Sequence, residues 1–187
     1  MESVDDVLLN ADYKMKKTID FLSQQFMGLR TGKASPALVE NIPVQYYGAT
    51  VKLCEIANIS IPEARLIVIN AYDPSSLQNI EKAIVAANIG ITPMNDGKVI
   101  RIPIPELSEE RRKELTKVAR QMAEKARVAV RNIRQEANEQ IKNLQKNSKI
   151  TEDERDNALK EIQDYTDQAI KKIDQMLEVK EKDIMTV

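Results

Sequence analysis

Apolar residues recur over the first thirty positions at Val4, Leu8, Ala11, Met15, Ile19, Leu22, Phe26 and Leu29, in steps of three and four. That spacing keeps one face of an α-helix apolar. Ser3 supplies an N-cap, and Asp5 and Asp6 place acids in the first turn. The same period returns twice later in the chain. From Ser108, with Glu109 and Glu110 behind it, a second stripe runs through Leu115, Ala119, Met122, Ala126, Ala129, Ile133, Ala137, Ile141 and Leu144. At 1.5 Å per residue it predicts a helix roughly 55 Å long, ending near residue 146. A polar link, "KNSK", leads to Thr151 and Glu154, which form a T-x-x-E capping box. A third helix follows, carrying Leu159, Ile162, Thr166, Ala169, Ile173, Met176 and Leu177. A helix with a single apolar stripe is not stable alone in water. Three such stripes facing inward predict a three-helix bundle.

Between residues 31 and 105 the period changes. "IPVQYY" (42–47), "NISIP" (58–62), "RLIVINAY" (65–72) and "KVIRIPI" (98–104) are rich in β-branched and aromatic residues and predict strands. In the last of these, Ile100, Ile102 and Ile104 alternate with Val99, Arg101 and Pro103. One short helix interrupts the strands, capped by Asp73, with Pro74 at its first position and a stop near Gly90. The fold class is therefore α+β: a long three-helix bundle (1–30 and 106–187) with a small β-rich α/β domain (31–105) inserted between helices one and two. The chain crosses between the two parts twice. In "RTGKASPALVENI" (30–42) Gly32 suits a backbone leaving helical φ/ψ, and Pro36 restrains the residue before it. On the return, Pro103 and Pro105 stiffen "IPIPE". Two short crossings of this kind suit either a hinge of restricted range or a rigid elbow.

Composition narrows the function classes. There is no His, so the commonest general base and zinc ligand are both absent. No Walker-type loop or G-x-G-x-x-G occurs, so no sequence element cradles a nucleotide phosphate. The acids of "TEDERD" (151–156) read as first-turn residues of a helix and not as a metal site. Cys54, flanked by apolar residues in "VKLCEIA", is expected to be a buried structural thiol. A single Cys fits a reducing cytoplasm, and an acidic N-terminus without a transit-type segment favours a bacterial source. No apolar run approaches the length of a membrane span. An enzyme is not expected, nor any cofactor or metal.

The net charge of −1 conceals a strong asymmetry. Residues 111–149 hold twelve Lys/Arg against four acids, whereas residues 152–187 hold six against eleven. Along the second helix, Lys113, Lys117, Arg120, Arg127, Arg131, Arg134 and Lys142 form a row about 100–200° from Leu115 at 100° per residue, opposite the apolar stripe. The central "RVAVRNIR" has three Arg, no Lys and no acid. Arg suits bidentate phosphate contact. With no aromatic residue in this helix, there is nothing for unpaired bases to stack on, which favours the backbone of folded, double-helical RNA. The alternatives are a solvated face, or a helical adaptor or chaperone-like arm that binds an acidic protein partner.

Five segments carry a resemblance over essentially the whole chain: "RTGKASPALVENI" with "VQYYG", "EKAIVAANIGITP", "IRIPIPELSEERRKEL", "ARVAVRNIRQEAN" and "AIKKIDQMLEVKEKDIM". In this order they resemble the ribosome recycling factor family. The resemblance implies an L-shaped, tRNA-like outline, with the bundle as the long arm. It implies binding to the ribosome after termination through large-subunit rRNA. It further implies splitting of the subunits with elongation factor G and GTP, which frees mRNA and tRNA. GTP would belong to that partner, and the factor would act as a cytoplasmic monomer. Carried over onto matching positions, the rRNA-contacting residues are Arg131 and Arg134, with Arg127, Arg120 and Lys117 on the same row and Arg30 and Lys33 at the corner. The hinge would comprise Arg30, Thr31, Gly32, Lys33, Pro103, Ile104, Pro105 and Glu106. Lys33 departs from the Arg common in the family, and Gln135 stands where relatives can carry another basic residue.

Overall fold

The computed structural model describes residues 3–29 and 31–186, in two compact units. The first comprises residues 3–29 and 113–186, and the second residues 31–112.

The first unit contains helix α1 (Val4–Met27), most of α4 (Glu109–Lys146) and α5 (Glu152–Met185). Capping boxes start two of them: Ser3 with Asp6 for α1, and Thr151 with Glu154 for α5. Helix α1 stops at Gly28, before the Gly32–Pro36 segment that reads as its breaker. One end of the bundle core draws on all three helices: Val7, Leu8 and Ala11 from α1, Ala137, Ile141 and Leu144 from α4, and Ala158 and Ile162 from α5. Helix α4 buries four alanines, Ala119, Ala123, Ala126 and Ala137, while the closest backbone approach in the bundle is between α1 and α5. Thr166 is the one polar member of the α5 stripe that is fully buried, and its hydroxyl donates to the Ile162 carbonyl at 2.8 Å. The bond satisfies the hydroxyl locally, so it needs no partner across the core.

The second unit has its own core. A four-stranded antiparallel sheet has the order β3 (Ala57–Glu63), β4 (Leu66–Ala71), β6 (Ile100–Pro103) and β5 (Met94–Asn95). Ile67 pairs with Ile102 and Ile69 with Ile100, which puts four fully buried isoleucines side by side on one face. Helix α3 (Leu77–Ala86) adds Leu77, Ile80 and Ile84 to this core. Asp73 caps the 3₁₀ turn (Pro74–Ser76) that leads into α3, accepting from the Ser75 N–H at 3.0 Å. Hydrogen bonds from Ser75 and Tyr47 hold its carboxyl below the ordinary range.

A hairpin of β1 (Pro43–Tyr46) and β2 (Ala49–Lys52) turns through Tyr47 and Gly48, both at positive φ. Strand β2 follows the predicted 42–47 strand and was not itself expected. It leads into a four-residue helix, α2 (Leu53–Ile56), which corrects the expectation for Cys54. One helical turn directs Leu53 and Ile56 inward, at 0% and 7% exposure, and leaves Cys54 exposed between them.

Candidate nucleic-acid interface

Helix α4 keeps Leu115, Ala119, Ala123, Ala126 and Val130 in the core and turns most of its cations outward. The structure divides those cations by what they touch. Arg127 is well enclosed, with its side chain 20% exposed. Its Nε and Nη2 donate to Asp174 Oδ1 on α5 at 2.8 and 2.6 Å, and its Nη1 donates to Glu124 Oε2 at 3.1 Å. Burial works against its charge, but the bonds to Asp174 and Glu124 outweigh it and leave the guanidinium pKa raised. Arg127 therefore serves as a tie between α4 and α5. Arg120 makes a similar tie, its Nε donating to Glu181 Oε1 at 2.6 Å.

Arg131 and Arg134 are held more loosely. Arg131, 48% exposed, meets only the far oxygen of Glu124 at 3.5 Å. Arg134 meets the neutral Gln163 Oε1, also at 3.5 Å. Lys117 is exposed, and no described carboxylate pairs with it. Gln135 is exposed and reaches Glu139 on its own helix at 3.5 Å.

Three residues that shape this face lay outside the sequence expectations: Asp174, Glu181 and Gln163, all on α5. A signal for the acids was present. Arg120 and Arg127 flank the apolar stripe at about 140° and 120° from Leu115, the edge where helices in a bundle exchange salt bridges. The acidic surplus of residues 152–187 supplies the partners.

Arg30 lies outside the described residues. The other expected corner and hinge residues fall in the second unit. Thr31 is half-buried and Lys33 exposed. Gly32 adopts φ +76°, and a Cβ there would stand 3.4 Å from Leu107 Cγ. Pro103 ends β6 in register with Leu66, and the Ile104 N–H donates to the Arg65 carbonyl at 2.8 Å. Ile104 is buried. Pro105 is exposed, and Glu106 pairs with Arg65 at 3.5 Å. The Ala34 N–H donates to the adjoining Ala64 carbonyl at 2.7 Å. Both crossings are thus sewn to the same β3–β4 turn, and Pro103 and Ile104 are part of the sheet's bonding.

Gly32→Ala is expected to cost about 1 kcal/mol, because an L side chain is disfavoured at positive φ. Gly32→Val should cost more, since its branches add contact with Leu107. Urea titration of the three proteins checks the order Gly, Ala, Val. Equal midpoints would mean that the backbone at 32 relaxes freely.

Among the described residues, no helix is long and apolar enough to cross a membrane, and no group of three His, Cys, Asp or Glu could hold a metal ion. What α4 offers instead is a row of tightly and loosely held guanidinium groups, suited to charge-assisted contacts with phosphate oxygens.

Comparison with known proteins agrees with this picture. Residues 22–185 match the family model described as ribosome recycling factor. A ribosome-recycling factor of Syntrophomonas wolfei subsp. wolfei is 50% identical over 184 residues, covering 98% of this chain and all of that protein. One from Halothermothrix orenii is 51% identical over 178 residues, covering 95% of this chain and 96% of the relative. A solution structure of a ribosome recycling factor superposes with a TM-score of 0.84 at 41% identity, covering both chains in full. The Thermus thermophilus factor, described together with Escherichia coli elongation factor G bound to the E. coli post-termination complex, is 42% identical with a TM-score of 0.69, covering 98% of this chain and all of that one.

Proposed function

Because the chain belongs to the ribosome recycling factor family, we propose that it recycles ribosomes after termination, binding large-subunit rRNA and acting with elongation factor G. The observation that carries this reading is the outward face of α4, where Lys117, Arg131 and Arg134 stand with little or no internal neutralisation. These cations dock on rRNA phosphates, releasing condensed counterions. Lys33, and Arg30 from the sequence match, add two further cations to this set. Arg120 and Arg127 contribute mainly by fixing α4 to α5, so the docking arm is stiff.

The factor supplies no catalytic group and no cofactor of its own. GTP is bound and hydrolysed by elongation factor G. Docking of α4 places the bundle among RNA contacts that join the subunits, and the push from elongation factor G is spent on displacing them. The segments expected as the hinge, 31–33 and 105–106, lie within the second unit, beside a sheet that holds 103 and 104. The protein works in the cytoplasm, as a monomer.

The test is light scattering from post-termination ribosomes mixed with this protein, elongation factor G and GTP. A fall in scattering that requires all three components is the expected result. Splitting that proceeds equally well without the protein would overturn the assignment.

A further inference from the structure

Arg120, Arg127 and Arg134 lie seven residues apart on α4, and Glu181, Asp174 and Asp167 lie seven apart on the antiparallel α5. The two series run in opposite directions, so each arginine has an acid at its level. The first two pairs form: Arg120 with Glu181 at 2.6 Å and Arg127 with Asp174 at 2.6 Å. The third does not. The Gln163 side-chain amide donates to Asp167 Oδ1 at 2.8 Å, and its other end, Oε1, is what faces Arg134 Nη1 at 3.5 Å. A neutral side chain has taken the carboxylate that the repeat would otherwise give to Arg134.

We propose that α5 sorts the arginines of α4 and so determines the specificity of the RNA-binding face. Asp174 and Glu181 are internal competitors of RNA phosphate and withhold Arg127 and Arg120, while Gln163 is a positioning residue that keeps Asp167 away from Arg134. A helix with all its cations free would bind any polyanion through the sequence-independent counterion term. With two guanidinium groups withheld, arbitrary RNA is left with the lysines and the more loosely held Arg131 and Arg134. The folded site must match the remaining ones, of which Arg131 keeps only a 3.5 Å contact to Glu124.

This rests on the rRNA-docking reading above, and its test is arranged so that the two can fail separately. Binding is measured across a salt series to a short RNA duplex of arbitrary sequence and to vacant ribosomes. Asp174→Asn/Glu181→Gln removes the α5 partners of both arginines, leaving Arg127 only Glu124 on its own helix, and its salt slope on the duplex is expected to steepen by up to about 0.9 per released arginine. Asp174→Glu/Glu181→Asp should return the slope to that of the parent. Gln163→Glu puts a carboxylate beside Arg134, and its slope on both ligands should become shallower by about 0.9. None of these side chains belongs to the hydrophobic core, so all variants should fold, which circular dichroism would confirm. Unchanged duplex slopes for the two neutralising substitutions, or for Gln163→Glu, would overturn the sorting. Failure of the docking reading shows elsewhere, as retained ribosome binding by Arg131→Glu/Arg134→Glu.

Discussion

Arg131→Glu/Arg134→Glu should fold like the parent and lose ribosome co-sedimentation by roughly 10²–10⁴-fold at moderate salt. The size follows from the contacts removed. On the proposed docking face each arginine would donate to a charged acceptor, worth about 1.5–3 kcal/mol net, so the two together would cost about 3–6 kcal/mol. Reversing the sign adds repulsion from phosphate, so the upper part of the range is expected. Folding is spared because neither side chain belongs to the core: Arg131 is half exposed, and both are held only by contacts at 3.5 Å. The same reversal at Arg127 would be a poorer experiment. It would set a carboxylate against Asp174 and Glu124 and disturb the seam between α4 and α5. Equal pelleting of parent and double variant across the salt series would show that the arginine face is merely solvated. Docking would then have to rest on the corner around Lys33.

Ile162→Ala should destabilise the bundle by about 2–5 kcal/mol and leave the small unit as it was. Ile162 is fully buried and packs in a cluster fed by α1, α4 and α5, so the cavity left behind has walls from three helices. The cost would lie at the low end if the small side chains of Ala11, Ala137 and Ala158 let the helices close in, and at the high end if they do not. A loss of that size is a large share of the roughly 5–15 kcal/mol that holds a typical domain together. The core around Ile67, Ile69, Ile100 and Ile102 shares no residue with this cluster. Amide exchange followed residue by residue is the measurement. Faster exchange in α1, α4 and α5, with unchanged protection in β4 and β6, is expected. Uniform loss in both units would mean that they unfold as one.

The helices were readable in the sequence because their signals are local. Ser3, Thr151 and Glu154 are caps that act within three residues, and the 3.6 period needs only the chain itself. The inward isoleucines of β6 were readable for the same reason. What escaped was short or non-local. Strand β5 has two residues, and it exists only through pairing with Ile100 and Arg101. Cys54 escaped because the orientation of a single helical turn, and not the apolarity of its neighbours in sequence, decides which side chains face inward. The site was half legible. The angular position of each cation on α4 came from residue spacing. Which of them were free depended on α5 residues up to 61 positions away. Gln163 could not have been singled out, since its effect is to occupy an acid that would otherwise pair.

The first unit is built from both ends of the chain, with residues 31–112 between them. That order has a consequence during synthesis, when the chain leaves the ribosome from its N-terminus. Helix α1 emerges first, with Val7, Leu8, Ala11 and Met15 on one face and nothing yet made to cover them. The small unit is complete once residue 112 is out, and its hairpins pair close neighbours, so it can fold quickly. Only after α4 and then α5 have followed does α1 gain its partners. A nascent chain of this protein therefore spends most of its synthesis with one apolar helix unpaired, its N-terminal segment the last to be buried.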